Sequence, residues 1–175
     1  GTPLLQFVPW NQAGWEALRA GHLPLWNPYV GLGAPLLANY QTAFLYPPNW
    51  LYFGLAALGG TPWMAWGQAV LVALHLGWAG MGMGLLIRRL GGRTLGQVIG
   101  GLAFGLSGYL VSRSWFLSIN SAAAWVPWVI LGVTALIDAQ RSRQGDGSLL
   151  AGAPWMRIVV LGVAAGMQLL AGHAQ

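Results

Sequence analysis

The sequence contains no cysteine and no lysine, and charged side chains of any kind make up only 6% of its 175 residues. Without cysteine there is no disulfide framework and no thiolate metal site. A soluble domain carries roughly 25% charged residues. A chain so far below that cannot clothe a water-facing surface, which excludes an ordinary soluble protein. A nucleotide-phosphate loop is also missing. The net charge of +5 rests on 8 arginines. In so apolar a chain this balance is read as membrane topology, and no nucleic-acid partner is expected.

What is present points the same way. Hydrophobic residues make up 56% of the chain, 11 of them tryptophan, and the mean hydropathy is +0.58. Indoles concentrate at the membrane–water interface. The chain begins at Gly1 and stops in "LLAGHAQ", so it reads as a piece of something longer, without a signal peptide.

A helix that crosses a bilayer needs about 20 mostly apolar residues. Four stretches qualify as spans: 63–87, 94–112, 114–137 with Pro127 as a kink, and 158–172, the last cut short. Two arginine clusters fix the orientation. Arg88, Arg89 and Arg93 precede the second span, and Arg141, Arg143 and Arg157 precede the fourth. Two spans separate the clusters, so both lie on one side, which the positive-inside rule makes cytoplasmic. Residues 1–61 then form an extracytoplasmic region, 62–175 the transmembrane helical region, and 112–113 a tight outer turn. The expected fold is all-α, a polytopic helix bundle with an outer first loop. Gly80 and Gly84, with Gly96, Gly100, Gly101, Gly105 and Gly108, give small-residue spacing that lets helices approach closely in lipid. His75 stands alone in its span and reads as a packing residue.

Within the outer region, "PWNQAGWEALRAGHLPLW" predicts a short surface helix with Asn11 as N-cap, ending near Gly21. Trp10, Ala13, Ala17 and Leu18 would share a face, and Glu16 and Arg19 would pair at i, i+3. "GHLPLWNPYVGLGAPLLANYQTAFLYPPNW", 21–50, then holds thirty residues without Asp, Glu, Lys or Arg. Gly, Pro, Asn and Gln in such density describe a shaped loop. Two readings stand: a neutral surface that binds a sugar beside lipid headgroups, and a plug that seals the bundle.

The combination "PLWNP…G.P…N.Q…YP" within 21–50, with "AFGLSGYL", "WVPWVIL" and the terminal "LLAGHAQ", resembles the bacterial YfhO family of membrane proteins over nearly the whole chain. Where that family reads Gly-His-Pro-Gln, this chain has Gly172-His173-Ala174-Gln175. The resemblance implies a GT-C-like glycosyltransferase fold in the bacterial cytoplasmic membrane. It implies transfer of a sugar from a polyprenyl-phosphate donor to an envelope polymer or lipid, such as lipoteichoic acid, at the outer face. The catalytic carboxylate of that class precedes a Gln-aromatic-x-Pro-Trp pattern, here Gln6 to Trp10. The preceding residues are Gly1, Thr2 and Pro3, so this Asp lies upstream or is lost. A carboxylate there would take the acceptor's proton or hold a divalent cation, the one cofactor the resemblance allows.

Glu16, the one outer carboxylate, is the substitute candidate for catalysis, with its pairing to Arg19 as the simpler reading. Gln6, Asn27, Asn39 and Gln41 are candidate sugar contacts, with Trp26 and Tyr46 as stacking surfaces. Asn27 precedes Pro28 and fits turn architecture equally. Arg113 sits at an outer span end, where its guanidinium would hold a lipid-linked phosphate or ordinary headgroups. His173 returns to the outer side, and His22 is an interfacial histidine. The rival readings are a transporter or flippase subunit, which calls for ionisable residues at mid-span, and a non-catalytic envelope scaffold.

Overall fold

Glycine and proline set where the helices break. The computed structural model describes residues 3–146 and 154–173. Gly1, Thr2, part of the loop after the third span, and Ala174 and Gln175 lie outside the described residues. The chain is mostly helical, and its only strands among the described residues are a two-residue ladder.

A π-helical turn, Pro3–Phe7, runs straight into α1, Val8–Arg19. The sequence placed the N-cap at Asn11, but Asn11 is inside the helix, buried, with Nδ2 donating to the Phe7 carbonyl at 2.9 Å. The docked face is also different. Val8, Asn11 and Gly14 are buried, while Leu18 is exposed. Gly14 decides this register, because any side chain there would collide with the Phe44 ring, and Trp15 stacks on Phe53 at 6.0 Å. Glu16 accepts from Gln12 Nε2 at 3.1 Å, one turn back, and makes no ion pair with Arg19.

The next helical run, α2, spans Trp50–Arg89, but it is not one rod. A straight helix of that length would extend about 60 Å at 1.5 Å per residue. Gly59 (φ −145°, ψ 15°) and Gly60 (φ 71°, ψ −159°) leave helical geometry, and Gly60 takes the left-handed φ that suits glycine. Pro62 falls in the first turn of the second limb, where its missing N–H is harmless. The short limb, 50–58, folds back on the long limb, 61–89. Tyr52 Oη donates to Gln68 Oε1 at 3.5 Å across 16 residues, and Leu55 packs over Gly67. Val8, Tyr52, Ala56, Met64, Leu71 and Leu117 form the core of this junction.

Helices α3 (Thr94–Gly105) and α4 (Gly108–Ser112) follow, separated at Ser107, whose Oγ accepts from the Leu110 amide. Then come α5 (Leu117–Ala124) and α6 (Val126–Asp146), broken at Trp125 just ahead of Pro127 as the sequence predicts. The final helix is α7, Pro154–Leu170. Three helical stretches are long and apolar enough to cross a membrane: Pro47–Arg89, Thr94–Ser112 and Leu117–Arg141. Within the first, only the long limb is a continuous crossing element. The expected fourth span is shorter, and its helix is ended by its own turn: Gly172 takes φ +83°.

Glycines draw α3 onto α2. A Cβ on Gly101 would meet the Gly80 carbonyl at 2.7 Å, and one on Gly105 the Leu76 carbonyl at 2.8 Å. Gly96 and Gly108 face open space. The bundle has two chemically distinct ends. At one, Arg89 pairs with Asp138 at 2.8 Å and Arg157 donates to the Ala135 carbonyl. At the other, the loop of residues 21–49 sits over the helices, and Gly172 closes against Tyr40 and Ala43.

Candidate functional site

The loop end is built by side chains that bond to backbone. Trp26–Asn27 (β1) pairs antiparallel with Ala34–Pro35 (β2). Asn27 Oδ1 accepts from the Tyr29 amide at 3.0 Å, an Asx turn that shapes the tip. Asn39 caps the 3-10 turn Tyr40–Thr42 by accepting from the Gln41 amide at 3.2 Å. Asn49 Nδ2 donates to the Ala43 carbonyl at 3.3 Å, and the Trp50 indole donates to the Phe44 carbonyl at 3.0 Å. Amides and indoles do this work because each satisfies a buried backbone group without bringing a charge that would need a partner.

Tyr46 is the loop's anchor. It is 1% exposed, so its ring is core and offers no stacking surface of the kind the sequence suggested. His75 Nδ1 donates to the Leu71 carbonyl at 2.6 Å, which leaves Nε2 as an acceptor. Tyr46 Oη donates to that Nε2 at 2.7 Å and accepts from the Trp125 indole at 2.8 Å. Three segments distant in sequence thus share one directed chain of bonds. Burial pushes the Tyr46 phenol up to about 12, against the lowering effect of the Trp125 bond, so it remains a donor.

Between α1 and the β1 turn lies a cavity of about 410 Å³. Trp10, Gln12 and Glu16 line it from the helix, and Asn27, Tyr29 and Val30 from the turn. Two aromatic rings, two amides and a carboxylate therefore face one space within the usual 300–1,000 Å³ range of ligand sites. Asn27 is 4% exposed and turns its Oδ1 inward to the loop. Of the residues singled out from sequence, Glu16 and Asn27 come together here. Trp10, Gln12 and Tyr29 did not emerge from sequence as ligands, although Pro9, Gln12, Ala13 and Glu16 have the i, i+3, i+4, i+7 spacing of one helix face.

The remaining candidates lie elsewhere. Gln6 is half-buried in the turn ahead of α1, and Trp26 is exposed with its indole laid over Gly33. Asn39 and Gln41 form the 3-10 turn, which Gly172 touches, and His173 follows half-buried with Nδ1 unpartnered. Arg113 is exposed on the turn after α4, and His22 is exposed after α1. His75, read as a packing residue, is a bonded hub. A lone histidine in an otherwise uncharged helix carried that signal.

Among the described residues no group of three His, Cys, Asp or Glu side chains could hold a metal ion. No family, curated protein or solved structure matches this chain.

Proposed function

We propose that this chain belongs to a bacterial membrane glycosyltransferase of GT-C-like, YfhO-type architecture. It would move a sugar from a polyprenyl-phosphate donor to an envelope polymer or lipid at the outer face of the cytoplasmic membrane. The observation that carries the reading is the cavity lined by Trp10, Gln12, Glu16, Asn27 and Tyr29. Aromatic faces suit the apolar faces of a pyranose ring, and neutral amides suit its hydroxyls. The cavity belongs to the end of the bundle opposite Arg89 and Arg157, which the positive-inside rule reads as extracytoplasmic, with α1 along the membrane surface.

Glu16 is the carboxylate placed to act. The acceptor hydroxyl oxygen attacks the anomeric carbon, its proton passes to Glu16, and the sugar–phosphate C–O bond breaks to release polyprenyl phosphate. A transporter reading is less well supported, because His75, the ionisable residue in the middle of the long limb, has both nitrogens engaged.

The test uses the full-length protein in lipid with radiolabelled polyprenyl-phosphate hexose and envelope acceptors. Glu16→Gln should lower transfer by about 10²–10⁴-fold, the range for loss of a general base, while retaining donor binding. Transfer at the wild-type rate in Glu16→Gln and Trp10→Ala would overturn the assignment and favour a non-catalytic scaffold.

A further inference from the structure

At the arginine end of the bundle, a cavity of about 480 Å³ opens between the last turns of α2 and the side of α6. Leu85, Arg88 and Arg89 line it from the long limb, and Leu131 and Asp138 from α6. Its charged wall lies at the mouth and its apolar wall deeper along the spans. Leu85 precedes Arg89 by about one helical turn, and Leu131 precedes Asp138 by about two. Arg89 is held in place: its Nη2 donates to Asp138 Oδ2 at 2.8 Å and to the Thr134 carbonyl at 3.5 Å. An exposed bridge of this kind contributes little stability. What it does is fix the guanidinium at the cavity wall, with Nε and Nη1 as further donors. Arg88, exposed beside it, makes no ion pair among the described residues. Two guanidiniums against one carboxylate give the lining a formal charge of +1.

We propose that this cavity binds the phosphodiester of one anionic phospholipid, drawn from the leaflet at the arginine end. Arg88 and the remaining donors of Arg89 take the phosphate oxygens, since guanidinium pairs closely with phosphate. The glycerol and the first part of the acyl chains descend between Leu85 and Leu131. Charge selects a singly charged phosphodiester, whose one negative charge cancels the +1 of the lining. Depth selects a lipid. Exposed Trp66 and Arg88 are 22 positions apart on the long limb, a rise of about 33 Å at 1.5 Å per residue. A hydrocarbon core is about 30 Å thick, and exposed tryptophans mark its edge. With Trp66 at one edge, Arg88 stands just beyond the other, at the level of the headgroups. Leu85 and Leu131 then lie where chains begin, and a free phosphate would leave them facing water. Basic pockets between spans at this level suit anionic headgroups, whereas a zwitterionic lipid brings an ammonium that the arginines repel. The assignment rests on the apolar helices crossing a bilayer and is independent of the sugar-transfer reading.

The probe is dioleoyl phosphatidylglycerol, titrated into the full-length protein in neutral detergent, with bound lipid counted by native mass spectrometry. One molecule should bind about tenfold more tightly than dioleoyl phosphatidylcholine, the worth of one charge-assisted hydrogen bond. Arg88→Gln should remove that preference with an unchanged melting temperature, because the side chain is exposed. Arg93→Gln deletes the same charge at the same end but outside the cavity, and should keep the preference. Full preference in Arg88→Gln, or equal loss in both variants, would overturn the proposal, the second leaving only diffuse attraction to the arginines. So would equal binding of the two lipids by the wild type. Displacement of the lipid by equimolar glycerophosphoglycerol, the same phosphodiester without acyl chains, would also overturn it and reassign the cavity to a soluble phosphate.

Discussion

Replacing Gly101 by alanine tests whether α2 and α3 meet backbone to backbone. The new Cβ would stand 2.7 Å from the Gly80 carbonyl oxygen, against 3.4 Å where ordinary contact begins. The helices must therefore part by about 0.7 Å, the shortfall between those two distances. Nothing flexible can give way, because the obstacle is backbone. Overpacking of this kind costs about 1–3 kcal/mol. Alanine also favours the helix over glycine by about 1 kcal/mol, which would mask part of the loss. Gly96→Ala supplies the reference, since a Cβ there meets nothing within 4 Å. The propensity gain is common to both variants, so their difference isolates packing. Equilibrium unfolding in mixed micelles, followed by tryptophan fluorescence, should place Gly101→Ala about 1–3 kcal/mol below Gly96→Ala. Adding Gly80→Ala to Gly101→Ala should cost less than the two singles summed, because the first displacement makes room for the second. Equal stability of Gly101→Ala and Gly96→Ala would refute the close approach.

Tyr46→Phe leaves the Trp125 indole and His75 Nε2 buried without partners and should destabilise by about 2–4 kcal/mol, with a coupling to Trp125→Phe in a double-mutant cycle. The Tyr46 phenol titrates at about 12 in the fold against 10.0 for a free tyrosine. Its contribution to stability is thus full below pH 10 and is lost as pH rises toward 12, which alkaline unfolding of wild type against Tyr46→Phe will register. Gly172→Ala combines a left-handed φ with a collision on the Tyr40 carbonyl and should lower the melting temperature by several degrees. By contrast, Asp138→Asn should change stability by less than about 1 kcal/mol, because its bridge to Arg89 is solvent-exposed.

The three helices long and apolar enough to cross a membrane were legible because hydropathy over about 20 residues can be read directly from the sequence. The α2–α3 contact was legible for the same reason: glycine spacing has few other uses within an apolar helix. The return of residues 50–58 onto the long limb was not. That stretch reads as a continuous apolar approach to the span, and its reversal depends on Tyr52 finding Gln68 and Leu55 finding Gly67. The register of α1 was missed because Asn11 has the chemistry of a cap, while the contact between Gly14 and Phe44 that overrides it is tertiary. The cavity was half legible. Glu16 and Asn27 drew notice as polar groups in an uncharged region, but their meeting requires the β1 turn to fold over the helix. Tyr46 looked like a binding surface for the reason that makes it an anchor, since an aromatic ring with a hydroxyl suits either role.

The closure of Gly172 on Tyr40 and Ala43 also sets an order of events during synthesis. The loop emerges early, yet its Tyr46 waits for His75 and then Trp125, and its outer turn waits for the end of α7. Contacts that span so much of the chain form late, after their loops have closed. What is made first is therefore finished last, and until α7 is in place Tyr40 and Ala43 lack the cover that Gly172 gives them. A truncation that removes residues 154–173 should yield helices that insert but a cap that stays open to proteases, so the last helix acts as the latch that certifies the fold.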